Sequence, residues 1–295
     1  MKVLKWVAIV LGGLVTVIVL VALVLGVRGS RLLERPAGHP YPSVTAAADS
    51  ASVARGRHLV TAIMPCIACH GQDLGGDVMI ESGFFGTVTA PNLTSGKGGL
   101  GGQLTDAAIA RSIRHAVDSA GEPLVIMPFF PNLSDRDLAA LVAYIRALPP
   151  VDRELPATAV GPAVKVMIGT GAVPLLEALL PGHDEQPEPD GQPVADASHG
   201  RYIARIAYCS FCHGKDLNGG ISGAGQSRPS SNITPEGLKG WTEDDFIRAM
   251  RTGIRPNKTP IDTTMPWRQY AGMDTTELRA LWQYLQTVPA KPYRQ

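Results

Sequence analysis

The pentapeptide Cys66-Ile67-Ala68-Cys69-His70 is written a second time as Cys209-Ser210-Phe211-Cys212-His213, and the two copies use all four cysteines of the chain. Cys-x-x-Cys-His is the attachment signature of c-type haem. Two thiols at that spacing can add to the two vinyl groups of one porphyrin. The imidazole that follows can then ligate the iron from the proximal side. A zinc site needs four ligands, and neither motif has a second Cys/His pair beside it. A thioredoxin-like Cys-x-x-Cys needs a βαβ setting, which the flanking sequence does not offer. The motifs therefore predict two covalently bound haem c groups, attached through Cys66, Cys69, Cys209 and Cys212, with His70 and His213 as proximal iron ligands.

The duplication extends well beyond the motifs. Gly56-Arg57-His58-Leu59 answers Gly200-Arg201-Tyr202-Ile203, with one residue more before the first cysteine in the first copy. Asp73-Leu74 answers Asp216-Leu217, and Asn92-Leu93-Thr94 answers Asn232-Ile233-Thr234. Thr105 through Val117 then aligns with Thr242 through Ile254, placing Arg111 and Arg114 on Arg248 and Arg251. Leu138-x-x-Leu141-x-x-Tyr144-Ile145 mirrors Leu278-x-x-Leu281-x-x-Tyr284-Leu285. Apolar residues at i, i+3, i+6 and i+7 mark an amphipathic helix in each copy. Ser134 and Asp274 are the expected N-caps, and Pro149 and Pro289 the stops.

Ahead of the repeats, residues Trp6 to Val27 carry no charge. Twenty-two helical residues at about 1.5 Å each reach roughly 33 Å, enough to cross a bilayer core. A cleaved signal peptide would have a shorter apolar core and an early small-residue site, whereas Ala46-Ala47-Ala48 comes late. Lys2 and Lys5 on one side and Arg28, Arg31 and Arg35 on the other leave the charge bias nearly balanced. The layout is then an anchor over residues 1–28, an extended tether over 29–50, a first domain over 51–150, an unmatched strap and linker over 151–196, and a second domain over 197–295. Within the unmatched stretch, residues 161–180 are apolar but interrupted, expected as a strap on a domain or a membrane surface. Residues 183–191 are acidic and Pro-rich, expected as a solvated linker. A net charge of +1 without basic runs gives no support for nucleic-acid binding.

Each half resembles a class I cytochrome c domain: a helix leading into Cys-x-x-Cys-His, loops over the haem, a Met-Pro loop and a final helix. The stretch from Asn232-Ile233-Thr234-Pro235 through Trp241-Thr242 to Met265-Pro266 resembles the cytochrome subunits of membrane-bound bacterial alcohol and gluconate dehydrogenases. This chain has two haem motifs where those subunits have three. The resemblance implies a mainly α fold, two cytochrome c-type helical domains behind one transmembrane helix. It also implies haem attachment outside the bacterial cytoplasmic membrane, with the N-terminus in the cytoplasm and the haem domains on the periplasmic side. In such domains the first and last helices cross at a glycine, so Gly56 should meet Tyr144 and Gly200 should meet Tyr284.

The sixth iron ligand separates a carrier from an enzyme. Met127-Pro128 follows His70 by 57 residues, Met265-Pro266 follows His213 by 52, and both precede the final helix. Their matching places in the repeat mark Met127 and Met265 as distal ligands. His115 is the alternative in the first half, but its counterpart is Thr252. Arg111, Arg114, Arg248 and Arg251 are candidates for propionate contacts, and Asn92 and Asn232 for fixing the loop beside the haem. His58 is read as a packing or surface residue. The expected function is single-electron transfer between a dehydrogenase or quinol-side donor and a periplasmic or oxidase acceptor, with redox proteins of a membrane complex as partners. The alternative is a dihaem enzyme, a peroxidase or sulfur-compound oxidase with one open haem.

Overall fold

The computed structural model describes residues 2–39, 42, 44–46, 49–171, 176, 186–190, 193–221 and 229–294. In chain order its helices and strands are α1 (Lys2–Leu33), α2 (Ser50–His58), a π-helical turn (Leu59–Ile63), α3 (Cys66–His70), β1 (Asp77–Ser82), β2 (Gly86–Ala90), α4 (Asp106–His115), α5 (Asp135–Ala147), β3 (Ala159–Val160), α6 (Pro162–Thr170), α7 (Ala197–Ile206), α8 (Cys209–His213), α9 (Glu243–Thr252), α10 (Trp267–Tyr270) and α11 (Thr275–Thr287). The fold is mainly helical, as expected. Two compact units interleave along the chain.

The first unit comprises Met1–Ser43, Asp73–Phe129 and Pro149–Asp184. Helix α1 is long and apolar enough to cross a membrane, and its apolar stretch is exposed. It does not stop at the expected boundary near Arg28 but continues to Leu33, because no proline intervenes before Pro36 and α6 packs along its last turns. Strands β1 and β2 form an antiparallel hairpin that β3 extends. The sequence carries this signal, since Val78, Ile80 and Val88 lie in short runs flanked by Gly83 and Gly86. A helix-centred reading passes over it. The strap 161–180 contains α6, and only Leu176 is described beyond Gly171.

The second unit comprises Val44–Gln72, Phe130–Leu148 and Glu185–Gln295. In it α2 packs on α5, and α7 packs on α11. A β-carbon on Gly56 would lie 2.0 Å from the Ala140 carbonyl oxygen and 2.7 Å from Tyr144 Cβ. On Gly200 it would lie 1.9 Å from the Ala280 oxygen and 2.7 Å from Tyr284 Cβ. Only glycine permits these backbones to approach so closely, and both expected pairs meet. Ser134 Oγ accepts from the Asp137 amide, and Asp274 forms a capping box with Glu277. Both expected caps are in place. Of the acidic linker 183–191, residues 183–185 and 191 lie outside the described residues; within 186–190, Glu188 accepts from Arg201 and Arg205, and Asp190 accepts from the Arg136 amide.

The extra residue before the first motif has a structural answer. The Met64 amide donates to the Leu59 carbonyl at 2.7 Å, a span of five residues, so the added residue widens one turn from α to π. Pro65 has no N–H to continue that ladder. The carbonyls of Val60 and Met64 are taken instead by the Gln269 side chain, at 3.3 and 2.5 Å.

Candidate functional site

The second Cys-x-x-Cys-His motif forms the one-turn helix α8, entered through Tyr208 in the left-handed region (φ 61°) and left through Gly214. This short helix turns Cys209, Cys212 and His213 toward a cavity of about 710 Å³, within the size range that accepts a cofactor. Met265 lines the same cavity. All four residues singled out in the second half are therefore brought together. The methionine lies some fifty residues beyond the motif, yet it converges with it on a space bounded mainly by apolar groups such as Phe246, Tyr270 and Leu281.

His213 is buried, and its Nδ1 lies 2.7 Å from the Ser231 carbonyl oxygen. Donation from Nδ1 to that carbonyl fixes the tautomer and leaves Nε2 with its lone pair directed away, the arrangement metal-ligating histidines use. Burial holds the imidazole below its ordinary value and so neutral, with the Ser231 bond partly opposing that effect. Burial also pushes the Cys209 and Cys66 thiols up to about 12. Both sulfurs thus sit in apolar surroundings that suit a neutral thiol or a thioether. Among the described residues no group of three or more His, Cys, Asp or Glu side chains could hold a metal ion. These features fit a covalently attached haem.

Met265 sits on a loop set by Asp262, which accepts from the Thr264 amide and hydroxyl at 2.9 and 2.8 Å. The loop then enters α10 through Pro266. Met250 and Met273 also line the cavity, but both are buried core residues. Neither Arg248 nor Arg251 lines the cavity; Arg248 pairs with Asp245 and Arg251 donates to the Ala271 carbonyl. Arg255, four residues on from Arg251, does line it and donates to the Pro260 carbonyl. Arg255 lies beyond the end of α9, past Gly253 at φ 70°, so helix periodicity does not point to it.

The loops flanking the motifs repeat bond for bond. Asn92 Oδ1 accepts from the amide and hydroxyl of Thr94, and its amide group donates to Val151 O at 2.7 Å. Asn232 does the same with Thr234 and Lys291 O, at 2.8 Å for the latter. The Leu93 amide donates to Leu74 O, and the Ile233 amide to Leu217 O, with Leu74 and Leu217 both at positive φ. Each asparagine fixes its loop as expected.

In the first half, Cys66, Cys69 and His70 form α3 within the second unit, with His70 buried. Met127 belongs to the first unit, where it packs with Ala37 and Phe129 on Ala116 and Val117. The residue before it, Ile126, is held at φ 66°, a strained conformation for a β-branched residue. Arg111 and Arg114 are buried on α4 of the same unit. His115 is buried there too and stacks on His39 with ring centroids 4.7 Å apart.

His58 is tied into a buried charged cluster. Arg55 makes a two-pronged contact with Asp137, 2.9 Å on each arm, and reaches Glu277 at 3.2 Å. His58 Nε2 donates to Glu277 Oε2 at 2.7 Å, and the Tyr202 hydroxyl donates to Asp137 Oδ2, also at 2.7 Å. His58 and Tyr202 are repeat counterparts, as are Asp137 and Glu277. The two bonds are therefore crossed, each joining the first helix of one repeat to the last helix of the other, as in a two-fold interface. Burial opposes the charge on Asp137, but Arg55 and then Tyr202 hold its carboxyl below the usual range. Burial likewise opposes the charge on Glu277, which His58, the Asp274 amide and Arg55 keep low.

Comparison with known proteins gives a consistent picture. The family model described as "Cytochrome C oxidase, cbb3-type, subunit III" matches residues 51–145 and again 195–285, well over half of the chain. A subunit of nicotinate dehydrogenase from Pseudomonas putida is 25% identical over 273 residues, covering 83% of this chain and 22% of that protein. The cytochrome c subunit of alcohol dehydrogenase (quinone) of Gluconobacter oxydans is 32% identical over 94 residues, 29% of this chain and 20% of the subunit. The fructose dehydrogenase cytochrome subunit of Gluconobacter japonicus is 32% identical over 124 residues, 37% of this chain and 26% of the subunit. The chain thus spans between about a fifth and a quarter of the length of these relatives.

Proposed function

The chain belongs to this cytochrome c family, whose domain it carries twice in tandem, and on that premise we propose that it is a membrane-anchored dihaem c-type cytochrome passing single electrons from a dehydrogenase or quinol-side donor to a periplasmic or oxidase acceptor. The observation that carries this reading is the convergence of Cys209, Cys212, His213 and Met265 on one apolar cavity. Covalently bound haem supplies a one-electron iron couple. Cys209 and Cys212 hold it by thioether bonds, with Cys66 and Cys69 in the same role in the first half. His213 Nε2, oriented through Ser231, would ligate the iron, and His70 would do so in the first half. Met265 would supply the further iron ligand in the second half, with Met127 the candidate for the first, and iron held on both sides would favour electron transfer over substrate binding. The names of the matched cytochrome subunits support a dehydrogenase as donor. Helix α1 holds the chain in the bacterial inner membrane with the haem domains on the periplasmic side.

The test is a pair of assays on the purified full chain. Reduced protein mixed with an oxidised soluble cytochrome c should deliver two electrons per chain, while peroxide should be consumed no faster than in a haem-matched control. Rapid peroxide turnover, with one haem failing to donate, would reject the carrier role.

A further inference from the structure

We infer that α6 is a second membrane-contacting element, a short helix standing beside α1 with its C-terminal end dipping into the leaflet at the C-terminal end of that anchor. The inference rests on α1 spanning the bilayer. The two helices run antiparallel in close contact: a β-carbon on Gly29 would lie 1.9 Å from Lys165 O, and one on Gly169 would lie 2.0 Å from Leu25 O. Small residues let these backbones touch, as at Gly56 and Gly200, and packing in lipid makes frequent use of the same device. The register also fixes depth. The charge-free run of α1 ends at Val27, and Leu25, level with Gly169, is about 3 Å inside it along the axis. Gly171 continues about 3 Å further. The C-terminal end of α6 thus dips roughly 6 Å below the level of Val27, with the helix standing along α1.

The chemistry of α6 suits that place. Its sequence from Pro162 to Thr170 holds a single charge, Lys165, level with Gly29 among the exposed Arg28 and Arg31. Long cationic side chains at this level can reach lipid phosphates while their stems stay in the apolar layer. Val164 and Ile168 pack inward with Leu176 against Leu32, Leu33, Val125 and Val160, while Val166 and Met167 remain partly exposed. The end that points inward also meets the demand that lipid places on helix ends. Thr170 Oγ1 donates to Met167 O at 2.7 Å and the Gly171 amide to Ile168 O at 3.1 Å. The hairpin tip adds a second foothold. Phe84 and Phe85 are exposed, and their carbonyls accept from the Ala163 and Gly161 amides at the start of α6. That level is about 6–9 Å outside Val27, in the headgroup layer.

Spin labels on single cysteines report depth through collisions with oxygen and with a water-soluble nickel chelate. The full chain is reconstituted in nanodiscs of mixed zwitterionic and anionic lipid, carrying Met167→Cys, Thr170→Cys or Phe84→Cys, with Val15→Cys as the anchor reference. An unchanged haem spectrum in each variant verifies folding. Oxygen should exceed the chelate at positions 167 and 170, with position 84 intermediate. Chelate access at 167 and 170 alongside a lipid-like position 15 would overturn the seating of α6 and leave the anchor standing. Shielding from both reagents would mean that protein covers α6, and would also overturn it. A water-exposed position 15 would remove the anchor, and the seating with it.

Discussion

The two crossings of first and last helix share a backbone and differ in chemistry. Gly56 against α5 and Gly200 against α11 approach their partner carbonyls at distances that differ by only a tenth of an ångström. Around that common frame the first repeat supplies Arg55 and His58 where the second supplies His199 and Tyr202. Arg55 serves both carboxylates, whereas His199 Nε2 is buried with no hydrogen-bond partner among the described residues. The approach to the thiols diverges in the same way, through a π turn in one copy and a left-handed Tyr208 in the other. The lesson is that close backbone packing fixes the repeat while side chains at its edge are free to take new roles. Here those roles join one repeat to the other.

Five substitutions test this contrast. The largest effect is expected for Asp137→Ala, which leaves the partly buried Arg55 with Glu277 alone and the Tyr202 hydroxyl without its acceptor, and should cost about 3 kcal/mol in denaturant unfolding. Next, Gly56→Ala and Gly200→Ala force a β-carbon against backbone that cannot swing aside. Each should cost about 1–3 kcal/mol, and equal losses would show that the crossings are equivalent in energy as well as geometry. Gln269→Leu leaves the Val60 and Met64 carbonyls without that donor and should cost about 1 kcal/mol, an effect specific to the π turn. The smallest difference is one of slope. Glu277 is held below its ordinary value of 4.5, so its contribution is present above that pH and is lost as the pH falls through the folded-state value. Between about pH 5 and pH 3, Glu277→Gln should therefore lose less stability than the parent chain.

Much of this is legible in the sequence because the relevant signals are local or repeated. The thiol motifs, the glycine–tyrosine crossings, the caps at Ser134 and Asp274 and the asparagine-fixed loops all follow from residue type at matched positions. The crossed bonds of His58 and Tyr202 are not legible, since their partners lie 219 and 65 residues away, and no periodicity within one helix reveals them. Arg255 escapes the repeat because its counterpart in the first copy is Asp118, so no matched pair marks it. The extension of α1 to Leu33 escapes because charge marks where an apolar run ends, not where a helix does.

The central proposal is that the chain carries two haems with both irons closed by protein ligands. Carbon monoxide added to the dithionite-reduced full chain, with the haem-to-protein ratio measured on the same sample, tests it most directly. Two haems per chain and an unchanged visible spectrum are the predicted result. A haem that takes up carbon monoxide readily would show that Met127 or Met265 does not hold its iron, and would contradict the account.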